Sequence, residues 1–286
     1  MSGILYLCAT PIGNLEDITF RVVRILKEVD LIAAEDTRHS IKLINHFEIK
    51  TPMTSYHEFN KVEKARYLVE QLLLGQNIAL ITDAGTPGIS DPGEELVKQA
   101  YAEGIEVTSL PGACAAVTAL TLSGLSTRRF SFEAFLPQDK KHLQRVLEEM
   151  KQETRTIIIY EAPHRLVKTL KELYEAIGER NITIIKELTK RHETILQTTL
   201  SVASHVFELQ APKGEFVLVI EGKSLQELVE EKQEKWEQVD INDHMKIYLD
   251  KGLSKKEAMK AVAVDKGVSK RDIYQTLLQK GSIEFK

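Results

Sequence analysis

Short apolar runs alternate along this chain with longer stretches whose apolar positions recur at helical spacing. Ile4–Cys8, Leu31–Ala34, Ile78–Ile81 and Ile105–Leu110 read as strands with helices between them. Ile78-Ala-Leu-Ile81 is apolar at every position, as expected of a parallel strand covered on both faces. The first half therefore reads as a parallel α/β domain. After Leu125 the pattern starts again, with strands at Phe130–Leu136, Thr156–Tyr160, Ile182–Lys186 and Phe216–Ile220 and helices at Lys140–Lys151, His164–Ile177 and Val202–Glu208. From Gly222 only helical patterns remain: Leu225–Val239, Asp243–Leu249, Ser254–Asp265 and Ser269–Gln279. Ser254 and Ser269 are placed to cap the last two, with Glu257 and Asp272 three residues on. The expected organisation is α/β, with one domain over 1–124, a second over 125–222 and a helical, helix-turn-helix-like extension over 223–286.

A length of 286 residues leaves room for about two domains. Composition is that of an ordinary globular chain, 43% hydrophobic and 28% charged, which excludes collagen-like and disordered classes. The net charge of −4 rules out a uniformly basic surface. Residues 242–286, however, carry ten lysines and arginines against six acids, so the tail is +4 and the rest −8. That tail reads equally as a nucleic-acid contact or as a solvated helical cap. Cys8 and Cys114 form neither a disulfide framework nor a zinc cluster. No run approaches the length of a membrane span and the first residues lack a positively charged leader, so a soluble, cytoplasmic chain is expected.

Neither the P-loop nor the Rossmann glycine fingerprint occurs. Three other loops follow strands. Ala9–Thr19 holds Pro11 and Gly13, with Asp17 placed to cap the next helix; alone, it reads as a tight turn rather than a ligand loop. Thr82–Gly93 packs three glycines and two prolines into twelve residues, with Asp91 as expected N-cap, Pro92 at the first helical position and Glu94 and Glu95 in the first turn. Such a constrained backbone brings amides and carbonyls close to a ligand. Leu110–Ala116 opens a helix with small residues, which suits a flat ligand or close helix–sheet packing. Because ligands of open α/β sheets bind at strand carboxyl ends, one shared site is expected.

The segments ATPIGNLEDIT, AAEDTRHS, LITDAGTPGISDPG, SLPGACAAVTAL, EAPHR and KELTKRHET resemble, essentially end to end, the bacterial 16S ribosomal RNA cytidine 2′-O-methyltransferase (RsmI) family of the tetrapyrrole-methylase superfamily. The resemblance implies two α/β domains with S-adenosylmethionine in the cleft between them, a homodimer, and no metal. It implies a decoding-region cytidine of 16S rRNA in the small ribosomal subunit as substrate. It also implies cofactor contacts at Pro11, Ile12, Asp83, Ala84, Gly85, Thr86, Ile89, Cys114, Ala115, Glu161 and Leu188, and a helix-turn-helix tail.

Methyl transfer to a ribose hydroxyl needs in-line positioning and a group to take the hydroxyl proton. Asp36 and Glu35, after strand Leu31–Ala34, are the candidates, with Arg38 placed to clamp a phosphate. Asp36 could instead simply cap the following helix. Arg128, Arg129, Lys140, Lys141, Arg145, Lys190 and Arg191 are candidate phosphate contacts around the cleft, joined by Lys255, Lys256, Lys270 and Arg271 from the tail. His164 and Arg165 face RNA or open a helix, and the row Glu187, Thr189, Lys190 and Glu193 reads also as surface salt bridges. Two rival readings share these features: a methylase acting on a tetrapyrrole, and a non-enzymatic ribosome-assembly factor.

Overall fold

The computed structural model describes residues 1–279; the last seven residues of the expected helical extension lie outside them. Strands β1 (Ile4–Cys8), β2 (Leu31–Ala34), β3 (Met53–Ser55), β4 (Ile78–Ile81) and β5 (Glu106–Leu110) form a wholly parallel sheet in the order β3-β2-β4-β1-β5. Its helices are α1 (Phe20–Glu28), α2 (Thr37–His46), α3 (Lys61–Leu73) and α4 (Gly93–Ala102). Alternation along β4 explains its continuous apolar run. Ile78 and Leu80 pack with Leu68, Leu72 and Leu96 from α3 and α4, while Ala79 and Ile81 pack with Val22, Leu26 and Ile44 from α1 and α2.

The second sheet is mixed. It orders β6 (Phe130–Phe135), β7 (Thr156–Glu161), β10 (Phe216–Ile220), β8 (Asn181–Lys186) and β9 (Thr194–Thr199), with β6 and β7 parallel and the remaining pairs antiparallel. Helices α6 (Lys140–Lys151), α7 (Pro163–Ile177) and α8 (Leu200–Leu209) cover one face, where Leu147, Leu166 and Leu170 meet Ile157, Ile159 and Leu218. The opposite face, with Ile158, Ile185, Val217 and Val219, is covered by α5 (Ala115–Leu122) through Ala116, Ala119 and Leu120. Although α5 precedes the turn at Gly124, it is part of the second sheet's core. Met1–Glu221 accordingly form one compact unit that holds both sheets, and a separate unit begins at Gly222.

Several local expectations shift. Strands β3 and β9 lack continuous apolar runs: β3 has three residues, and β9 is an edge strand that exposes Ile195. Asp17 does not cap α1. It belongs to a 3₁₀ turn over Leu15–Asp17 capped by Asn14, which moves the helix start to Phe20, where Thr19 accepts the Val22 amide at 3.2 Å. The helix expected at Asp91–Pro92 starts at Gly93, with Pro92 as its cap.

The C-terminal unit contains α9 (Leu225–Glu237), α10 (Ile241–Asp250), α11 (Lys255–Asp265) and α12 (Lys270–Gln279). Reciprocal capping boxes open α9 (Ser224 with Glu227) and α11 (Ser254 with Glu257), and Ser269 and Asp272 exchange the same pair of bonds before α12. Met245, Met259, Val262, Ile273 and Leu277 form its core. His244 is fully buried, stacked on Trp236 at 3.9 Å, with Nε2 2.9 Å from Asp265, which also accepts the Tyr248 hydroxyl. Among the described residues no helix is long and apolar enough to cross a membrane.

Burial lowers the pKa of His244 despite the opposing pull of Asp265. The unfolded chain then binds more protons than the folded one, so stability rises with pH through this range and is lost as pH falls below the ordinary histidine value of about 6.5. Hydrogen exchange of α10 and α11 is expected to quicken between pH 7 and pH 5, and His244→Gln is expected to flatten that dependence.

Candidate active site

The carboxyl ends of β1, β2, β4 and β5 lie along one edge of the parallel sheet, and their loops bond to one another there. Thr10 and Gly85 exchange backbone hydrogen bonds at 2.9 and 3.1 Å, and the Thr10 hydroxyl donates to the Thr82 carbonyl at 3.1 Å. The Thr86 hydroxyl donates to the Ala113 carbonyl at 2.9 Å, tying the second loop to the third. Gly85 has a φ of +87° and its α-carbon faces Ile12 closely enough that a Cβ would lie 3.3 Å from Ile12 Cγ2. Asp91 folds back into its own loop, its carboxylate accepting the amides of Gly88 at 2.9 Å and Gly93 at 2.7 Å. Burial raises the pKa of Asp91.

These loops face the second sheet across a cavity of about 430 Å³. Of the residues expected to hold a cofactor, Ile12, Asp83, Ala84, Gly85, Thr86, Ile89, Cys114, Ala115, Glu161 and Leu188 all line it. Pro11 does not. It lines a neighbouring cavity of about 290 Å³, because the bridge from Thr10 to Gly85 turns the backbone so that Ile12, and not Pro11, faces the larger space.

Residues from the second sheet complete the wall: Phe135, Tyr160, Pro163, Glu215, Phe216 and Val217. Strand carboxyl ends alone do not point to all of them. Strand β10 is antiparallel to β7 and β8, so its amino end lies beside their carboxyl ends, with Phe216 paired to both Glu161 and Lys186. A register shift in β6 and a φ of +52° at Ala134 precede Phe135, which packs edge-on against Tyr160 at 5.7 Å. Left-handed Glu187 and Thr189 flank Leu188, and Gly13 approaches them so closely that a Cβ would lie 2.5 Å from Lys190 Cγ.

The candidate catalytic residues separate. Glu35 lines the cavity, its carboxylate accepting the Thr82 hydroxyl at 2.6 Å and the Asp83 amide at 3.3 Å. Asp83 in turn accepts the Asp36 amide at 3.1 Å, and burial, followed by the charge of Glu35, raises its pKa. Asp36 and Arg38 lie outside the lining. Asp36 caps α2 through the Arg38 amide at 2.8 Å and pairs with the Arg38 guanidinium at 2.8 Å. The side-chain hydrogen bond from Arg38 is the largest influence holding the Asp36 carboxyl at about 2, where it is a weak proton acceptor.

Among the candidate RNA contacts, Arg128, Arg129, His164, Arg191, Lys255, Lys270 and Arg271 are exposed. Arg165 is used internally, donating to the Leu136 carbonyl at 2.8 Å and lying 3.6 Å from Glu161. Lys190 bridges Glu187 at 3.0 Å and Glu215 at 2.8 Å.

Residues 5–203 match the family model of the tetrapyrrole (corrin/porphyrin) methylases. Structures of this architecture include uroporphyrin-III C-methyltransferase from Thermus thermophilus (18% identity, TM-score 0.55, 77% of this chain and 94% of that one) and diphthine synthase (14% identity, TM-score 0.61, 78% and 91%). At those identities they show the fold. Among curated proteins, the ribosomal RNA small subunit methyltransferase I of Halalkalibacterium halodurans is 52% identical over 95% of this chain and 93% of its own length. Those of Bacillus subtilis and a Synechocystis species are each 48% identical, over 95% and 97% of this chain and 93% and 98% of their own lengths. The chain belongs to the tetrapyrrole methylase family and, within it, to the ribosomal RNA small subunit methyltransferase I group.

The Tyr160 hydroxyl accepts the Ala116 amide at 2.9 Å, fastening the first turn of α5 to the second sheet, and burial pushes the phenol up to about 12. Tyr160→Phe removes that acceptor and is expected to cost about 1–3 kcal/mol of stability in urea unfolding.

Proposed function

We propose that this chain methylates the ribose 2′-hydroxyl of a decoding-region cytidine in 16S ribosomal RNA, using S-adenosylmethionine. The observation that carries the cofactor assignment is the charge of the larger cavity. Glu35, Asp83, Asp91, Glu161 and Glu215 line it, and no lysine, arginine or histidine among the described residues does. Such a wall repels a phosphate-bearing dinucleotide and attracts a cation. Its remaining surface is apolar and backbone, from Ile12, Ile89, Leu188 and Ala84–Gly85, which suits a flat heterocycle. The residues therefore fit S-adenosylmethionine, which when bound supplies a methyl group on a positively charged sulfur. The chain's own part is to hold that charge against its carboxylates and to exclude water from the apolar walls.

The RNA assignment rests on kinship with the ribosomal RNA small subunit methyltransferases I and is supported by the local basic surface. Arg128, Arg129 and Arg191 offer phosphate contacts on the first unit, and Lys255, Lys270 and Arg271 do so on the C-terminal helices. The substrate is the 16S rRNA within the small ribosomal subunit, and the working form is a homodimer in the cytoplasm. An acceptor of tetrapyrrole type gives no reason for a tail of net +4.

Transfer of labelled methyl to small subunits lacking the modification, followed by digestion to nucleosides, is expected to yield 2′-O-methylcytidine. Tight cofactor binding with no label in RNA would contradict the substrate assignment. A chain ending at Gly222 is expected to bind the subunit at least about tenfold more weakly, with the salt slope shallower by about 0.7–0.9 for each phosphate that the tail neutralises.

A further inference from the structure

The larger cavity and its 290 Å³ neighbour share only Thr82 and Asp83. The neighbour lacks the concentration of acids that marks the larger cavity. The neighbour is lined by Lys42 and His39, one turn apart on α2, and its one acid among the described residues is the shared Asp83. Buried Thr10 and Ser40 add hydroxyls, and Pro11, Gly13, Leu15 and Leu43 supply a small, mostly apolar wall. A cationic ligand suits one cavity, and a phosphate-bearing ligand with hydroxyl groups and a small ring suits the other.

Taking the proposed methyl transfer as given, we propose that this second cavity receives the acceptor nucleotide and that Asp83 takes the proton from its 2′-hydroxyl. Lys42 and His39 bind the adjoining phosphate. Of the two shared residues, Thr82 is already committed: its hydroxyl donates to Glu35 at 2.6 Å and its carbonyl accepts from Thr10. Asp83 accepts the Asp36 amide through Oδ1, and no described residue donates to Oδ2. Glu35 lines only the larger cavity and is bonded to Thr82 and the Asp83 amide. In the transfer the hydroxyl proton passes to Asp83 and the 2′-oxygen forms a bond to the methyl carbon. The carbon–sulfur bond breaks with its electron pair left on sulfur, so the positive sulfur and the negative carboxylate are neutralised together. Burial and the charge of Glu35 raise the pKa of Asp83, which makes it the stronger base beside Asp36; the other charges that reach it are Asp36 itself and His39.

Asp83→Asn keeps an oxygen for the Asp36 amide, so the loop is retained. Single-turnover transfer to unmethylated small subunits at saturating S-adenosylmethionine is expected to slow by about 10²–10⁴-fold, well beyond the weakening of S-adenosylmethionine binding that calorimetry reads when one of the cavity's carboxylates is neutralised, with loss of the acid limb of the pH profile. Lys42→Ala is expected to raise the KM for the subunit by about tenfold, more than it lowers kcat. Asp83→Asn at wild-type rate, or a rate loss matched by an equal loss of cofactor affinity, would overturn the proposal while leaving RNA methylation in place. A wild-type protein that puts no methyl in RNA would instead remove the function on which it rests.

Discussion

Helix α5 leaves the parallel sheet and buries Ala116, Ala119 and Leu120 on the mixed sheet, and the candidate site depends on that single piece of packing. It places the loop after β5 between the two sheets and, through the Ala116 amide and the Tyr160 hydroxyl, fixes the spacing between them. Small side chains make the arrangement possible. Cys114 and Ala115 leave room beside the first turn of the helix, and larger residues there would fill the cavity they line. The loops from β1 and β4 are then held by bonds to each other and to Ala113. The site is preorganised, which limits the ordering that binding must bring about.

Its electrostatics follow from the same geometry. Three strand ends and the amino end of β10 bring Glu35, Asp83, Glu161 and Glu215 around one space, while the basic residues of α2 line the adjacent one. Glu161 shows how the cost of burying such a group is met. It is almost wholly buried, and its oxygens accept the Ala162 amide at 2.8 Å and the Thr169 hydroxyl at 2.6 Å, with Arg165 nearby. Strained backbone is concentrated here too: Ser90, Glu187 and Thr189 have positive φ in loops around the cavity, and Ala134 has it within β6 next to Phe135.

Much of the fold was legible because buried strands declare themselves. Ile4–Cys8, Leu31–Ala34, Ile78–Ile81 and Phe216–Ile220 have the same bounds in pattern and structure. Met53–Ser55 and Thr194–Thr199 were not legible, since an edge strand need not be continuously apolar. The loop Thr82–Gly93 stands out through its glycine and proline content, and the family resemblance singles out Ala84, Gly85, Thr86 and Ile89 within it. Phe135 and Glu215–Val217 were missed because their positions depend on a bulge and on antiparallel pairing, neither of which leaves a local signature. A helix cap at Asp36 was foreseeable, and the structure has that cap on the Arg38 amide; the ion pair with the Arg38 guanidinium was not. No pattern in the chain signals that α5 would cross to the other sheet.

The central claim is that carboxylates around an apolar cavity select a cationic cofactor. Calorimetric titration of the full chain with S-adenosylmethionine, and in parallel with NAD and ATP, tests it most directly. The expected result is binding of S-adenosylmethionine, weakened by raised salt, and no binding of the phosphate-bearing ligands. Binding of NAD or ATP that S-adenosylmethionine fails to displace would contradict it.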